Sequence, residues 1–363
     1  MSYLLILTVI LAPTFAWRFS LAGLPTNFLM IWVVFVWIIF ISGLLLKKEA
    51  RIFWHFVGTI DRKLLAAVGL FFLAGLISLF IRGIDKEKLG QFIVLFLQPI
   101  SLFFIGSYVF SDNPKARQWL VNALYIFLAV AGVYAVAQYF TRIGLPPTYW
   151  GNSQEPKRAI SFFGHPDFYA LFTAPLLAFL LADLFEKIKQ SITKNWIWVA
   201  LWGLGLIGLV FSLSRAGWLG LGAVAVIYTV MAGNKTVRWL MTGAAVVTIA
   251  IIVIMPNLRY RFITPFYGEK STSSRLELWR DGLTGIGQSP ILGLGLDGFS
   301  HEWPQLNSDP AQNSANFPHN IFLDVWVDTG ILGLISFVYL CWLYLRNGFK
   351  KRKASDIFPI AIT

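Results

Sequence analysis

Apolar runs close to bilayer length recur along this chain, separated by short charged or Pro/Gly-rich breaks. A helix crossing a membrane needs about 20 apolar residues at about 1.5 Å rise each. The pattern predicts about ten spans, at 2–16, 26–46, 64–81, 90–110, 118–140, 166–185, 196–213, 216–232, 238–255 and 319–345. The first is short and has no basic segment before it, so it reads as a span rather than a cleaved signal peptide. The stretch 196–232 would measure about 55 Å as one helix, so it must break. Its polar cluster Ser212-Leu213-Ser214-Arg215, followed by Ala216-Gly217, predicts a tight hairpin with Arg215 at the tip. Between the last two spans lies 256–318, the sizeable extramembrane segment. It is too short for an independent domain of ordinary size, and long loops of this kind usually carry function.

Composition agrees with the pattern. Hydrophobic residues make up 57% and charged residues 13% of the 363 positions, against about 25% charge in soluble proteins. The 32 Phe and 15 Trp suit lipid contact and interfacial belts. The expected fold is an all-α polytopic membrane helix bundle with one long extracytoplasmic loop containing short helices. The single cysteine, Cys341, excludes an internal disulfide framework and a thiolate metal cluster. A net charge of +12 in a soluble domain would point to nucleic acid; in a membrane protein it belongs to cytoplasmic loops facing anionic lipid.

The basic residues also set orientation. With the N-terminus cytoplasmic, short cytoplasmic segments hold 17 Lys and Arg against 8 on the other side, which is the positive-inside sense. Loop 141–165, the Arg215 tip and 256–318 are then extracytoplasmic. Three regions follow: N-terminal helices over 1–195, a region over 196–345 that holds the long loop, and a basic cytoplasmic tail over 346–363. That tail ends Ile357-Phe358-Pro359-Ile360-Ala361-Ile362-Thr363, the expected start of a further span cut short.

Chemistry-bearing residues gather on the extracytoplasmic side. An arginine within a span is costly, about 2.5–3.5 kcal/mol on insertion scales, and so points to function. For Arg215 two readings stay open: a guanidinium snorkelling to lipid phosphate, or a bidentate ligand for an anionic head group. Ser274-Arg275-Leu276-Glu277 has the form of a capping box. Leu276, Trp279 and Leu283 follow at helical spacing, predicting a short amphipathic helix over 275–285 on the membrane surface. Arg275 in its first turn would oppose the helix dipole, which suits an anion ligand better than a stabiliser; Arg280 follows further along. Gly293-Leu294-Gly295-Leu296-Asp297-Gly298 follows no strand and carries no GK[ST], so it is a turn and not a nucleotide loop.

Among the histidines, His319 in Phe317-Pro318-His319-Asn320 begins the last span, with Pro318 expected in its first helical turn. The helix dipole there would favour a neutral imidazole able to accept a proton; a helix cap is the other reading. His165 in Gly164-His165-Pro166-Asp167 occupies a similar start-of-span position. His55 and His301 are incidental. Asp324 and Asp328 share one face of the last span, well away from the face of His319, so the three form no triad. No spacing supports a metal site.

These motifs, taken in order, resemble the O-antigen ligase and polymerase superfamily of bacterial membrane glycosyltransferases. The resemblance rests on Ser214-Arg215-Ala216-Gly217, Ser274-Arg275-Leu276-Glu277-Leu278-Trp279, Pro290-Ile291-Leu292-Gly293-Leu294-Gly295, Pro318-His319-Asn320 and Asp328-Thr329-Gly330-Ile331-Leu332-Gly333. It is best over about 200–345. Phe163-Gly164-His165-Pro166-Asp167 is similar to that family's Gly-Asn-Pro-Asn segment, with substitutions.

The resemblance implies transfer of a glycan from an undecaprenyl diphosphate carrier to an acceptor hydroxyl outside the plasma membrane, without metal, nucleotide sugar or other cofactor. The partners implied are a lipid-linked glycan donor, a glycolipid, glycan or protein acceptor and the bilayer, with no nucleic acid. Arg215 and Arg275, with Arg280 and Trp279, would bind the donor, and His319 would activate the acceptor hydroxyl. Asp328 stands where the family usually has glutamate, so it and Asp324 are weaker candidates, as is His165. Members have about twelve spans, which implies a missing C-terminal end here. Ligase, polymerase and protein oligosaccharyltransferase share these residues. A solute transporter is the alternative of a different class, expected to show repeated halves; the sequence shows no repeat.

Overall fold

The computed structural model describes the chain apart from residues 22, 112, 152–155, 232–234, 264–269, 307–316 and 351–363. It is a helix bundle. The first half holds α1 (Ser2–Ile10), α2 (Phe28–Leu46), α3 (Ala50–Thr59), α4 (Arg62–Phe80), α5 (Lys86–Phe92), α6 (Gln98–Ser111) and α7 (Pro114–Thr141). The second holds α8 (Pro166–Gln190), α9 (Ile192–Phe211), α10 (Arg215–Met231), α11 (Lys235–Ile254), α12 (Pro256–Ile263), α13 (Lys270–Gln288), α14 (Gly298–Leu306) and α15 (Ile321–Lys350). A π-helical turn joins α5 to α6 in one rod from Lys86 to Ser111. Two four-residue strands, β1 (Arg18–Leu21) and β2 (Leu24–Asn27), pair antiparallel. Among the described residues seven helices are long and apolar enough to cross a membrane, and α10 and α11 carry shorter apolar stretches. The expected all-α polytopic bundle is the fold.

The first expected span differs. α1 has nine residues, about 14 Å of helix, and gives way to a 3-10 turn, Ala12–Ala16, with Pro13 near its start. Proline has no N–H for the ladder and its ring crowds the preceding turn, so the helix stops. The long run at 196–232 breaks as expected: α9 ends at Phe211, Ser212-Leu213-Ser214 turn, and Arg215 opens α10.

The main core lies among α7, α8 and α9, around Leu124, Tyr125, Leu128, Leu177, Leu180, Leu181 and Leu209. α7 and α9 touch backbone to backbone, since a Cβ on Gly208 would overlap the Cα of Gly132. Small residues permit such close crossing, and dispersion then replaces the hydrophobic drive that lipid cannot supply.

Two irregular segments are pinned by specific bonds. Gln138 of α7 is fully buried. Its Oε1 accepts from the N–H groups of Ile160 (3.2 Å) and Ser161 (2.7 Å), and its Nε2 donates to the Ser161 carbonyl at 3.1 Å. The Ala159 N–H donates to the Phe211 carbonyl at 3.0 Å, tying this loop to the end of α9. The second irregularity is inside α15, where Gly330 (φ 68°, ψ −169°) interrupts the helix. Segment 290–295 fills the interruption. Leu294 N–H donates to Val327 O (2.6 Å), Ile331 N–H to Ile291 O (3.2 Å) and Trp326 Nε1 to Pro290 O (2.9 Å). The expected turn at 293–298 is therefore the piece that meets the broken helix.

Two boundaries are corrected. α13 runs from Lys270, so Ser274 is not at the N-cap position and Arg275 is outside the first turn; nothing between 270 and 274 breaks a helix. Leu276, Trp279 and Leu283 are exposed along one side while Leu278, Gly282 and Ile286 face inward, so the amphipathic helix itself stands. Pro318 lies outside α15, because Asn320 is its cap: its Oδ1 accepts from Phe322 N–H at 3.1 Å. The expected further span at 357–363 lies outside the described residues.

Gly330 has a backbone conformation open mainly to glycine, and a Cβ there would strike the Ile291 carbonyl. Gly330→Ala should destabilise the solubilised protein by about 1–3 kcal/mol from backbone strain alone, read as a lowered Tm. Gly203→Ala, where a Cβ meets nothing within 4 Å, should leave Tm unchanged or raise it.

Candidate functional site

The loops expected on one side of the membrane meet at one end of the bundle. Phe15 packs edge-on to Phe168 at 5.2 Å, Arg82 pairs with Glu302, and Gln91 Nε2 donates to Asp297 Oδ1 at 3.0 Å. In their midst charged and imidazole groups converge from α8, α13, the α9–α10 turn and the segments before α8 and α15.

His165 caps α8: its backbone is extended and its Nδ1 accepts the Asp167 N–H at 3.1 Å. The ring sits perpendicular to Tyr149 at 5.8 Å and against Phe168 at 5.3 Å. Asp167, in the first turn of α8, takes Arg158 Nη2 at 2.7 Å and a hydrogen bond from the Ser214 side chain. Arg158 Nε also donates to the Ser212 carbonyl at 3.1 Å. One guanidinium thus joins the 142–165 loop, α8 and the α9–α10 turn. Arg215, partly buried, is the residue after Ser214.

His319 approaches from the other side. It has a left-handed backbone (φ 53°) just before the Asn320 cap, and its ring touches that of Phe317 at 4.6 Å. Burial pushes the His319 imidazole below the ordinary histidine range, and the neighbouring Arg275 pushes it further; Asp167 opposes and His165 adds slightly. These four groups are therefore neighbours. His165 is likewise lowered by burial, with Asp167 opposing and Arg158 adding. Both rings are neutral at pH 7. Arg158 and Arg275 at the site, with Arg215 adjoining, suit an anion with several oxygens.

The expected residues divide. Arg275, His319 and His165 come together, and Arg215 adjoins them through Ser214. Arg280 lies about 140° around α13 from Arg275 and is exposed, so it is not brought in with it. Trp279 is on the exposed apolar side. Asp324 and Asp328 lie in α15 near Asp297, grouped apart from His319, and among the described residues neither pairs with an arginine. Sequence reasoning missed Arg158, Asp167 and Ser214. Asp167 stood inside a quoted motif, and Arg158 lay in a loop already assigned to this side. What was not visible is that Gln138 folds that loop back over α7.

The fold and site define a multi-pass membrane protein with a cationic, histidine-bearing site at one end. Residues 199–338 match the O-antigen ligase family model. The chain is 28% identical over 176 residues to an O-antigen ligase of Pseudomonas aeruginosa, a match covering 44% of this chain and 41% of that one. It is 23% identical over 304 residues to an uncharacterized protein of Haemophilus influenzae, covering 77% of this chain and 71% of that protein. Residues 199–338 are thus similar to an O-antigen ligase domain, and this similarity supports a polysaccharide ligase-like function.

The charges around His319 make a signed prediction. Diethyl pyrocarbonate modifies only the neutral ring, so peptide-level modification against pH reports its protonation. Arg275→Gln removes a positive neighbour and should move the His319 midpoint up. Asp167→Asn removes a negative one and should move it down.

Proposed function

We propose that this protein transfers a glycan from an undecaprenyl-diphosphate-linked donor to an acceptor hydroxyl on the outer face of the plasma membrane. The observation that carries the reading is the convergence of His319 with Arg275, His165 and Asp167 beside the Arg215 turn, within a domain matched to O-antigen ligases. Arg215 and Arg275 bind the diphosphate. The acceptor oxygen attacks the anomeric carbon and forms the new glycosidic bond, while the bond from that carbon to the phosphate oxygen breaks. The electron pair leaves on the diphosphate, whose growing charge the arginines stabilise. The acceptor proton passes to His319, which its surroundings keep neutral and able to receive it. One base opposite the leaving group favours inversion at the sugar, unlike the paired carboxylates of glycosidases. A polymerase or a protein glycosyltransferase would use the same residues.

The transporter reading has less support. α15 is interrupted, as transporter helices often are, but backbone of 290–295 occupies the interruption.

The test uses the protein in nanodiscs with lipid-linked glycan donor. Arg215→Ala and Arg275→Ala should abolish transfer while the protein still inserts, and Lys at either position should rescue poorly because a point charge cannot reproduce the bidentate fork. His319→Ala and His319→Gln should bind donor nearly as wild type but transfer about 10²–10⁴ more slowly. Near-normal turnover of His319→Gln would falsify the base role. For the face, Gln288→Cys in a Cys341→Ser background should react with an impermeant thiol reagent in spheroplasts; reaction only after lysis would reverse the orientation.

A further inference from the structure

We propose that His165 is a neutral hydrogen-bond donor to a phosphoryl oxygen of the donor diphosphate, locked in one tautomer by the helix it caps, and is not a second base. This rests on the glycosyl-transfer reading above.

The argument starts at the start of α8. Pro166 has no N–H to offer, so the first free N–H of that helix is that of Asp167, and His165 Nδ1 accepts it at 3.1 Å. A ring nitrogen that accepts a hydrogen bond carries no proton. A neutral imidazole must then carry its proton on Nε2. The Asp167 carboxylate, with one oxygen 3.9 Å from Nδ1, could draw a proton onto that nitrogen. It is already committed to the Arg158 guanidinium and the Ser214 hydroxyl. Tyr149 and Phe168 pack against the ring and favour this orientation. Among the described residues no acceptor meets the Nε2–H.

A base needs a bare nitrogen, and with Nδ1 held by the Asp167 N–H the remaining ring nitrogen of His165 carries an N–H. Its neighbours His319, Arg158 and Asp167 put that N–H in a positive site, where an anionic oxygen is the matching acceptor. The two histidines therefore have separate tasks. Asparagine is the other residue that can do what His165 does: its Oδ1 can cap the helix and its Nδ2 can donate.

The test separates capping, donation and base catalysis. Binding of undecaprenyl diphosphate to the protein in nanodiscs is compared for wild type, His165→Asn, His165→Ser and a protein carrying Nε2-methylhistidine at 165. The methyl analogue keeps the ring and the Nδ1 acceptor but has no N–H; Ser caps but is too short to reach. Both should bind about tenfold to a hundredfold more weakly, the loss expected for one hydrogen bond to a charged group, with Tm as wild type. His165→Asn should keep binding and turnover within a few-fold. Wild-type binding by the methyl analogue would overturn the proposal. So would a His165→Asn protein that binds normally but has lost turnover, since that result identifies a base. Arg215→Ala serves as the separate control: if it binds undecaprenyl diphosphate as well as wild type does, the diphosphate reading of the whole site fails, whatever His165 does.

Discussion

Near a bilayer an unwound backbone must find its hydrogen bonds inside the protein, because lipid supplies none. Both irregular segments of this chain obey that constraint, and the site follows from how they do so. Gln138, buried within α7, presents one acceptor and one donor edge to Ile160 and Ser161. A side-chain amide is the one group of its size that can satisfy backbone N–H and C=O together. The loop so fixed delivers Arg158 to the α9–α10 turn and to Asp167. At Gly330 the solution is reversed: the helix opens and another segment of backbone closes it. That clamp holds segment 290–295 to α15 at Trp326, Val327 and Ile331.

Apart from Arg275, which lies on a face of α13, the site draws on helix ends. His165 precedes α8, Arg215 opens α10, and His319 precedes α15. Helix N-termini expose N–H groups and the positive end of the dipole. Arg215 at one of these ends adds its charge to that of the N-termini. Arg158 and Asp167 are the exception. Their pair is partly exposed on the carboxylate side, so its value is geometric more than energetic: it ties the loop before α8 and the start of α8 to the α9–α10 turn.

Much of this was legible in the sequence, because span length and charge asymmetry are strong signals. The break at Ser212–Ser214 followed from the length of an apolar run and the one polar cluster within it. The failures share a cause. The start of α13 was misplaced because Ser-x-x-Glu is a local pattern, and a helix extends through it when the preceding residues permit. Pro318 suited a helix start equally well, but Asn320 with its side-chain acceptor won the cap. The α1 segment was apolar enough to span yet held Pro13, whose effect a hydropathy window averages away. Gln138 could not have been identified, since a glutamine in an apolar helix carries no mark of the loop it will hold.

The positive surplus acts on the histidines as well as on a ligand. Burial and then Arg275 lower the proton affinity of His319, which makes it a weaker base. In the proposed reaction the donor brings negative charge beside the same arginines, and its field reaches the imidazole with the opposite sign. His319 then holds a proton more readily once the diphosphate is in place than before. As the glycosyl bond breaks, more negative charge collects on the leaving diphosphate, and the imidazolium forming at His319 is stabilised by it. Proton acceptance and departure of the leaving group reinforce one another through a shared field, without the two groups touching. His165, if held to its Nε2–H form, stays outside that exchange: its proton is fixed by the α8 cap, and it contributes a constant dipole while His319 changes charge.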